Sequence, residues 1–97
     1  MDVALSSKKI TEALARLPGW SFKRNALVKN FEFGSFREAM SSMVRVSYEA
    51  EALDHHPEWK NVYNSVAVRL TTHHTGNKVT AKDIALAQKI HAINWVK

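Results

Sequence analysis

Apolar positions along this chain change period several times, and each change marks an element. Ile10, Ala13, Leu14 and Leu17 fall on one face at helical spacing, and Pro18-Gly19 predicts the end of that helix. Period two then takes over in two short stretches, Trp20 to Lys23 and Ala26 to Phe33, split by Arg24-Asn25. Leu27, Phe31 and Phe33 share a face in the second stretch, so the pair reads as a hairpin. Ser35 followed by Glu38 is a capping box, which opens a long helix with Phe36, Met40, Met43, Ala50 and Leu53 as its apolar stripe. The two methionines of that stripe read as core filler.

Proline pushes the residue before it out of the helical region, so His56-Pro57 predicts that the helix has run out near Asp54. A second hairpin follows: Trp59 to Tyr63, a turn at Asn64-Ser65, then Val66, Val68 and Leu70 alternating with Ala67, Arg69 and Thr71. Trp59 and Tyr63 share a face of the first of these strands. There they are core aromatics or a platform for a flat heterocycle. Gly76-Asn77 marks a loop, and Thr80 with Asp83 opens a last helix that turns Leu86, Ile90 and Ile93 inward. The order α-β-β-α-β-β-α predicts an α+β fold in two layers, a four-stranded antiparallel sheet with three helices on one face.

Length changes this picture little, because 97 residues with no repeat or linker make a single domain, spanning 1–97. The absence of cysteine excludes disulfides and thiolate metal sites. No apolar run reaches the roughly 20 residues of a membrane span and no signal-peptide pattern opens the chain, so a cytoplasmic protein is expected. The formal charge of +5 raises the question of nucleic acid. The lysines and arginines are scattered, with pairs such as Lys8-Lys9 and Lys23-Arg24 as their densest groupings. A phosphate backbone is tracked by blocks or stripes, so this is a solvated basic surface suited to small anions, without a nucleic-acid role.

Candidate chemistry concentrates in the second half: Glu51, the run Asp54-His55-His56-Pro57-Glu58-Trp59, His73 and Asp83. Imidazole gives or takes a proton near neutral pH, so three histidines with two carboxylates read as acid–base equipment. All of them fall at element ends, which can meet at one rim of a sheet. Plainer roles stand beside this reading. Asp83 can simply complete a capping box, Glu51 can be a solvated helix residue, and His74 an exposed loop residue lining a pocket by its backbone. His91 sits mid-helix without partners. His55, His56, His73 and Asp83 are also possible metal ligands. Adjacent histidines usually diverge, however, and the i, i+4 histidine pair of the common zinc helix is missing, so no metal is expected. No serine stands in a nucleophile-elbow context.

Glu51, three residues, His55-His56-Pro57, five residues, Tyr63, nine residues, His73, nine residues, Asp83: this spacing resembles the pterin-4a-carbinolamine dehydratase family. The resemblance extends through Leu17-Pro18-Gly19-Trp20, the Phe31 to Phe36 segment, Ala50 to Trp59 and Thr72-His73, nearly the whole chain. It implies helices on one side of a four-stranded antiparallel sheet, in agreement with the pattern above. It also implies a reaction, loss of water from a 4a-hydroxytetrahydropterin to give the quinonoid dihydropterin in pterin recycling. The hydroxyl leaving C4a needs a proton while the adjacent ring nitrogen pushes it out and loses its own. Positioned imidazoles do both, with no redox change and no cofactor.

By this resemblance His55 and His73 are the proton-transfer pair and His56 positions the pterin. Asp83 orients or charges a histidine, and Glu51 holds the amino-pyrimidine edge or tunes His55. The segments from His55 through Pro57 to Trp59, and from Thr72 through His73 and His74 to Thr75, correspond to substrate contacts. Family members form dimers or tetramers, which implies a homodimer or homotetramer here, and some double as protein partners of other assemblies.

Overall fold

The computed structural model describes residues 2–93. Helix α1 spans Ser7–Leu14, strands β1 and β2 span Ser21–Lys23 and Ala26–Glu32, and helix α2 spans Phe36–Leu53. Strands β3, Glu58–Val62, and β4, Ser65–Leu70, precede a single 3₁₀ turn at His73–Thr75 and helix α3, Ala81–Ala92. The sheet runs β1-β2-β4-β3 with every neighbouring pair antiparallel. This is the expected α+β architecture.

Both hairpins follow from turn chemistry. Arg24 and Asn25 both take positive φ, 51° and 62°, the left-handed pair that matches the twist of antiparallel strands. At the second hairpin the turn lies one residue earlier than the sequence suggested, because Val62 pairs with Ser65 and Tyr63-Asn64 forms the loop. Asn64 is tied to the segment that follows β2: its carbonyl accepts from the Phe33 N–H at 2.8 Å and its side chain donates to the Phe33 carbonyl at 2.8 Å. Tyr63 there takes φ 50° and is left 67% exposed, so it forms no aromatic platform with Trp59.

One face of the sheet carries the core. Leu27 on β2, Val66, Val68 and Leu70 on β4, and Leu86, Ala87 and Ile90 on α3 are buried together with Ile10 and Leu17. Each fully buried leucine of this set contributes about 1.5–3 kcal/mol through loss of apolar surface. Helix α1 ends at Leu14, short of Pro18, and Leu17 enters the core from the turn that follows. Gly19 takes φ 85° there, beside the Lys29 side chain, which donates to the Pro18 carbonyl at 3.0 Å. In α2 the inward residues are Ala39, Ser42, Val46 and Ala50, with Met43 and Leu53 beside them, whereas Phe36 is 48% exposed. Small residues let α2 lie close to the sheet, and the buried Ser42 hydroxyl is satisfied by donating to the Ala39 carbonyl at 2.7 Å.

A histidine cleft at the end of the sheet

The end of α2 decides where the histidine pair goes. Its last turn closes with two reverse bonds, Asp54 N–H to the Glu51 carbonyl at 3.1 Å and His55 N–H to the Ala50 carbonyl at 3.0 Å. This is the Schellman arrangement, which needs a left-handed residue, and Asp54 supplies it at φ 51°, ψ 43°. The chain then turns sharply, placing His55 inside and His56 outside. His55 is 8% exposed, and its Nε2 lies 2.6 Å from Oδ1 of Asp83, which is fully buried. His56 points to solvent and pairs through Nε2 with Oε1 of Glu51 at 2.8 Å, the two side chains being 58% and 80% exposed. Glu51 therefore partners His56 and not His55.

Asp83 combines the roles considered for it from sequence. It completes the capping box of α3, accepting the Thr80 N–H at 2.8 Å through Oδ2, and it also holds His55. Oδ2 accepts a further bond at 2.8 Å from the hydroxyl of Thr72, just beyond the end of β4. Beyond Thr72 the chain makes a tight loop, pinned where Thr72 N–H donates to the Lys78 carbonyl at 2.9 Å and Asn77 N–H donates back to Thr72 at 3.1 Å. Gly76 and Asn77 close it with φ 73° and 61°. His73 and His74 are presented on this loop, both exposed. Among the described residues no hydrogen bond is made by the His73 imidazole. His74 Nε2 lies 2.6 Å from Oδ2 of Asp2, which also approaches Lys82 Nζ at 3.4 Å. Partial burial pushes the Asp2 carboxyl upward, but hydrogen bonds from His74 and Lys82, and their charges, outweigh it and hold the group below the ordinary carboxylate value.

These segments enclose a cleft of about 270 Å³ lined by Asp54, His55, His56, Pro57, Glu58, Thr71, Thr72, His73, His74 and Lys82. Its volume lies near the lower bound usual for small-molecule sites, a size suited to a compact heterocycle. Larger depressions exist, such as that of about 640 Å³ beside Glu12, Arg16 and Gln88, but no histidine lines it. Of the residues expected from sequence, His55, His56, Pro57, Thr72, His73 and His74 border the cleft directly and Asp83 supports it from below. Glu51 reaches it only through His56. Trp59 packs against the core instead, and Thr75 donates its hydroxyl to the Thr72 carbonyl at 3.0 Å within the loop. Lys82 lines the cleft without having been expected there. Its place beside Asp83 in the first turn of α3 is the one sequence cue to it, and Asp2 carries none. Among the described residues, no three His, Asp or Glu side chains come together as a metal-ligand group.

Known proteins match this chain along nearly its whole length. The family model described as pterin 4 alpha carbinolamine dehydratase covers residues 3–93. A provisionally named pterin-4-alpha-carbinolamine dehydratase of Opitutus terrae is 56% identical over 96 residues, 99% of either chain. A second of that name, from Rhodopseudomonas palustris, is 53% identical over 83 residues, 84% of this chain and 81% of its own. The crystal structure of a transcriptional coactivator/pterin dehydratase from Brucella melitensis superposes with a TM-score of 0.87 at 41% identity, covering 93% of this chain and 97% of its own. By fold, by sequence and by the extent of both matches, the chain belongs to the pterin 4 alpha carbinolamine dehydratase family.

Proposed function

We propose that the protein is a hydro-lyase that removes water from a 4a-hydroxytetrahydropterin to give the quinonoid dihydropterin, in the recycling of a reduced pterin. The observation that carries this reading is the buried His55–Asp83 pair at the floor of a cleft that also holds His56 and His73. The names of its relatives, pterin-4-alpha-carbinolamine dehydratases, support the substrate class.

The reaction needs a proton delivered to the hydroxyl on C4a and a proton removed from the adjacent ring nitrogen. The nitrogen lone pair forms the new C=N bond as the C–O bond breaks, and water leaves. His55, held by Asp83, and His73, whose imidazole makes no hydrogen bond among the described residues, are the two groups that exchange these protons. General acid–base help of this kind is worth about 10²–10⁴-fold. His56, braced by Glu51 at the cleft wall, positions the heterocycle. Pro57, Thr72 and His74 supply further cleft surface, and the reaction calls for no electron acceptor.

A homo-oligomer is part of the proposal. Strand β3 is an edge of the sheet, with Val62 58% exposed and Tyr63 67% exposed at its end. An unprotected edge of this kind is a template for pairing with another chain. A second, non-catalytic role as a protein partner is favoured by the coactivator in the Brucella melitensis protein's name, and by Val44 and Tyr48, which α2 leaves exposed. No helix among the described residues is long and apolar enough to cross a membrane, in keeping with the cytoplasmic setting proposed.

The test is decay of a freshly generated 4a-hydroxytetrahydropterin with and without the protein, alongside an NMR titration with a stable dihydropterin. Faster decay, with shift changes confined to the loop from His73 and the segment from His55, is expected. Decay at the uncatalysed rate by folded protein would overturn the proposal.

A further inference from the structure

The Asp83 carboxylate is fully buried, and its two oxygens are used unequally. Oδ2 accepts from the Thr72 hydroxyl at 2.8 Å and from the Thr80 N–H at 2.8 Å, whereas Oδ1 meets only His55 among the described residues. The two threonine hydroxyls lie 2.8 Å apart, and both residues are buried, at 1% and 0% exposure. A hydroxyl has one proton to give. The proton of Thr72 goes to Asp83, so the Thr80 hydroxyl must donate to Thr72, while accepting the Lys82 N–H at 3.2 Å. The bonds thus run in one direction, from Thr80 to Thr72 to Asp83.

This direction has a consequence at the imidazole. With Oδ2 occupied by two donors, the carboxylate is turned so that Oδ1 faces Nε2 of His55. A carboxylate that accepts at Oδ2 from a hydroxyl and an N–H has no proton to give at Oδ1, so the bond at 2.6 Å is a donation from Nε2–H. The neutral ring then carries its proton on Nε2, and Nδ1 is left with its lone pair.

We propose that Thr80 and Thr72 act as positioning residues that hold the Asp83 carboxylate with Oδ1 toward His55, so that the ring keeps its proton on Nε2 and Nδ1 is the atom exchanging a proton with the substrate. This rests on the reading of His55 as a proton-transfer group, but the tautomer itself is measurable without any turnover. Neither threonine hydroxyl is available to a ligand, since both are spent inside the chain of bonds. Thr80 also caps α3, so the substitution that isolates the effect is at Thr72.

The experiment is a long-range ¹H–¹⁵N correlation spectrum of the histidine rings in the full-length protein, for wild type, Thr72→Val and Thr72→Ser, with kcat and KM for each. Wild type is expected to show the Nε2–H tautomer for neutral His55. Thr72→Val leaves Oδ2 with the Thr80 N–H alone, so the bond from Nε2–H to Oδ1 should loosen, seen as a shift of the His55 ring resonances, with a loss of about tenfold in kcat, as expected for one lost bond to a charged group. Thr72→Ser should restore both. A proton on Nδ1 in wild type would overturn the proposal, and that result requires no variant to fold. So would a Thr72→Val protein whose His55 ring resonances are those of wild type, whatever its kcat. If the protein accelerates no dehydration while the spectra behave as expected, the locked tautomer stands and the catalytic reading falls.

Discussion

His55 and Asp83 are 28 positions apart in the chain, yet Nε2 and Oδ1 meet at 2.6 Å in the interior. Two helix ends make this contact: the Schellman turn that closes α2 and the capping box that opens α3. Because Asp83 serves the helix cap and the imidazole together, its replacement reports on both. Asp83→Asn keeps the shape but places an amide nitrogen or a weaker oxygen against groups that all donate. A loss of about 1.5–3 kcal/mol in stability is expected for a hydrogen bond to a buried charge, together with a fall in kcat of about 10² or more. Urea denaturation and turnover measured on one preparation check it; wild-type values of both would contradict the shared role.

Asp54 holds the left-handed position that turns His55 inward. Glycine takes that conformation without a Cβ penalty, so Asp54→Gly should leave stability unchanged or slightly raised. Asp54→Val, β-branched, should cost about 1–2 kcal/mol and lower kcat by misplacing His55. Thermal melts of the two variants, compared in their order, decide it.

The exposed His56–Glu51 pair makes a different prediction. Exposed ion pairs contribute about 0–1 kcal/mol, so Glu51→Gln should move stability by less than about 0.5 kcal/mol. If His56 positions the pterin, His56→Ala should raise KM more than it lowers kcat. Steady-state kinetics separate the two effects, and an unchanged KM would remove His56 from substrate binding.

Asp2 supplies a pH dependence. Its folded-state carboxyl titrates below the ordinary value, so its stabilising contribution is present above about pH 4 and disappears as pH falls through the lowered value. The melting temperature of wild type should therefore exceed that of Asp2→Asn near pH 5–6, and the two should converge in more acid solution. A gap that widens as the solution becomes more acid would contradict the ion cluster with His74 and Lys82.

Much of the fold was legible because its determinants are local. Arg24-Asn25 between alternating stretches gave the first hairpin, and Ser35 with Glu38 and Thr80 with Asp83 gave the starts of α2 and α3. Misreadings arose where tertiary contacts overrode a local pattern. Phe36 scores as the first residue of an apolar stripe, but packing rewards close approach, and Ala39 and Val46 face the sheet instead. Tyr63 continues the alternation of β3, but the bonds between Asn64 and Phe33 place it in the turn. The candidate residues were readable by type and family spacing. Their partners were not, since nothing local links His55 to Asp83, Glu51 to His56 or Asp2 to His74.

The most direct test of the histidine cleft is stopped-flow absorbance of 4a-hydroxytetrahydropterin decay, with wild-type protein, His55→Ala and His73→Ala. Acceleration by wild type, reduced about 10²–10⁴-fold in each variant while circular dichroism shows the fold intact, is the expected result. Acceleration undiminished in both variants would place the chemistry elsewhere and contradict the account.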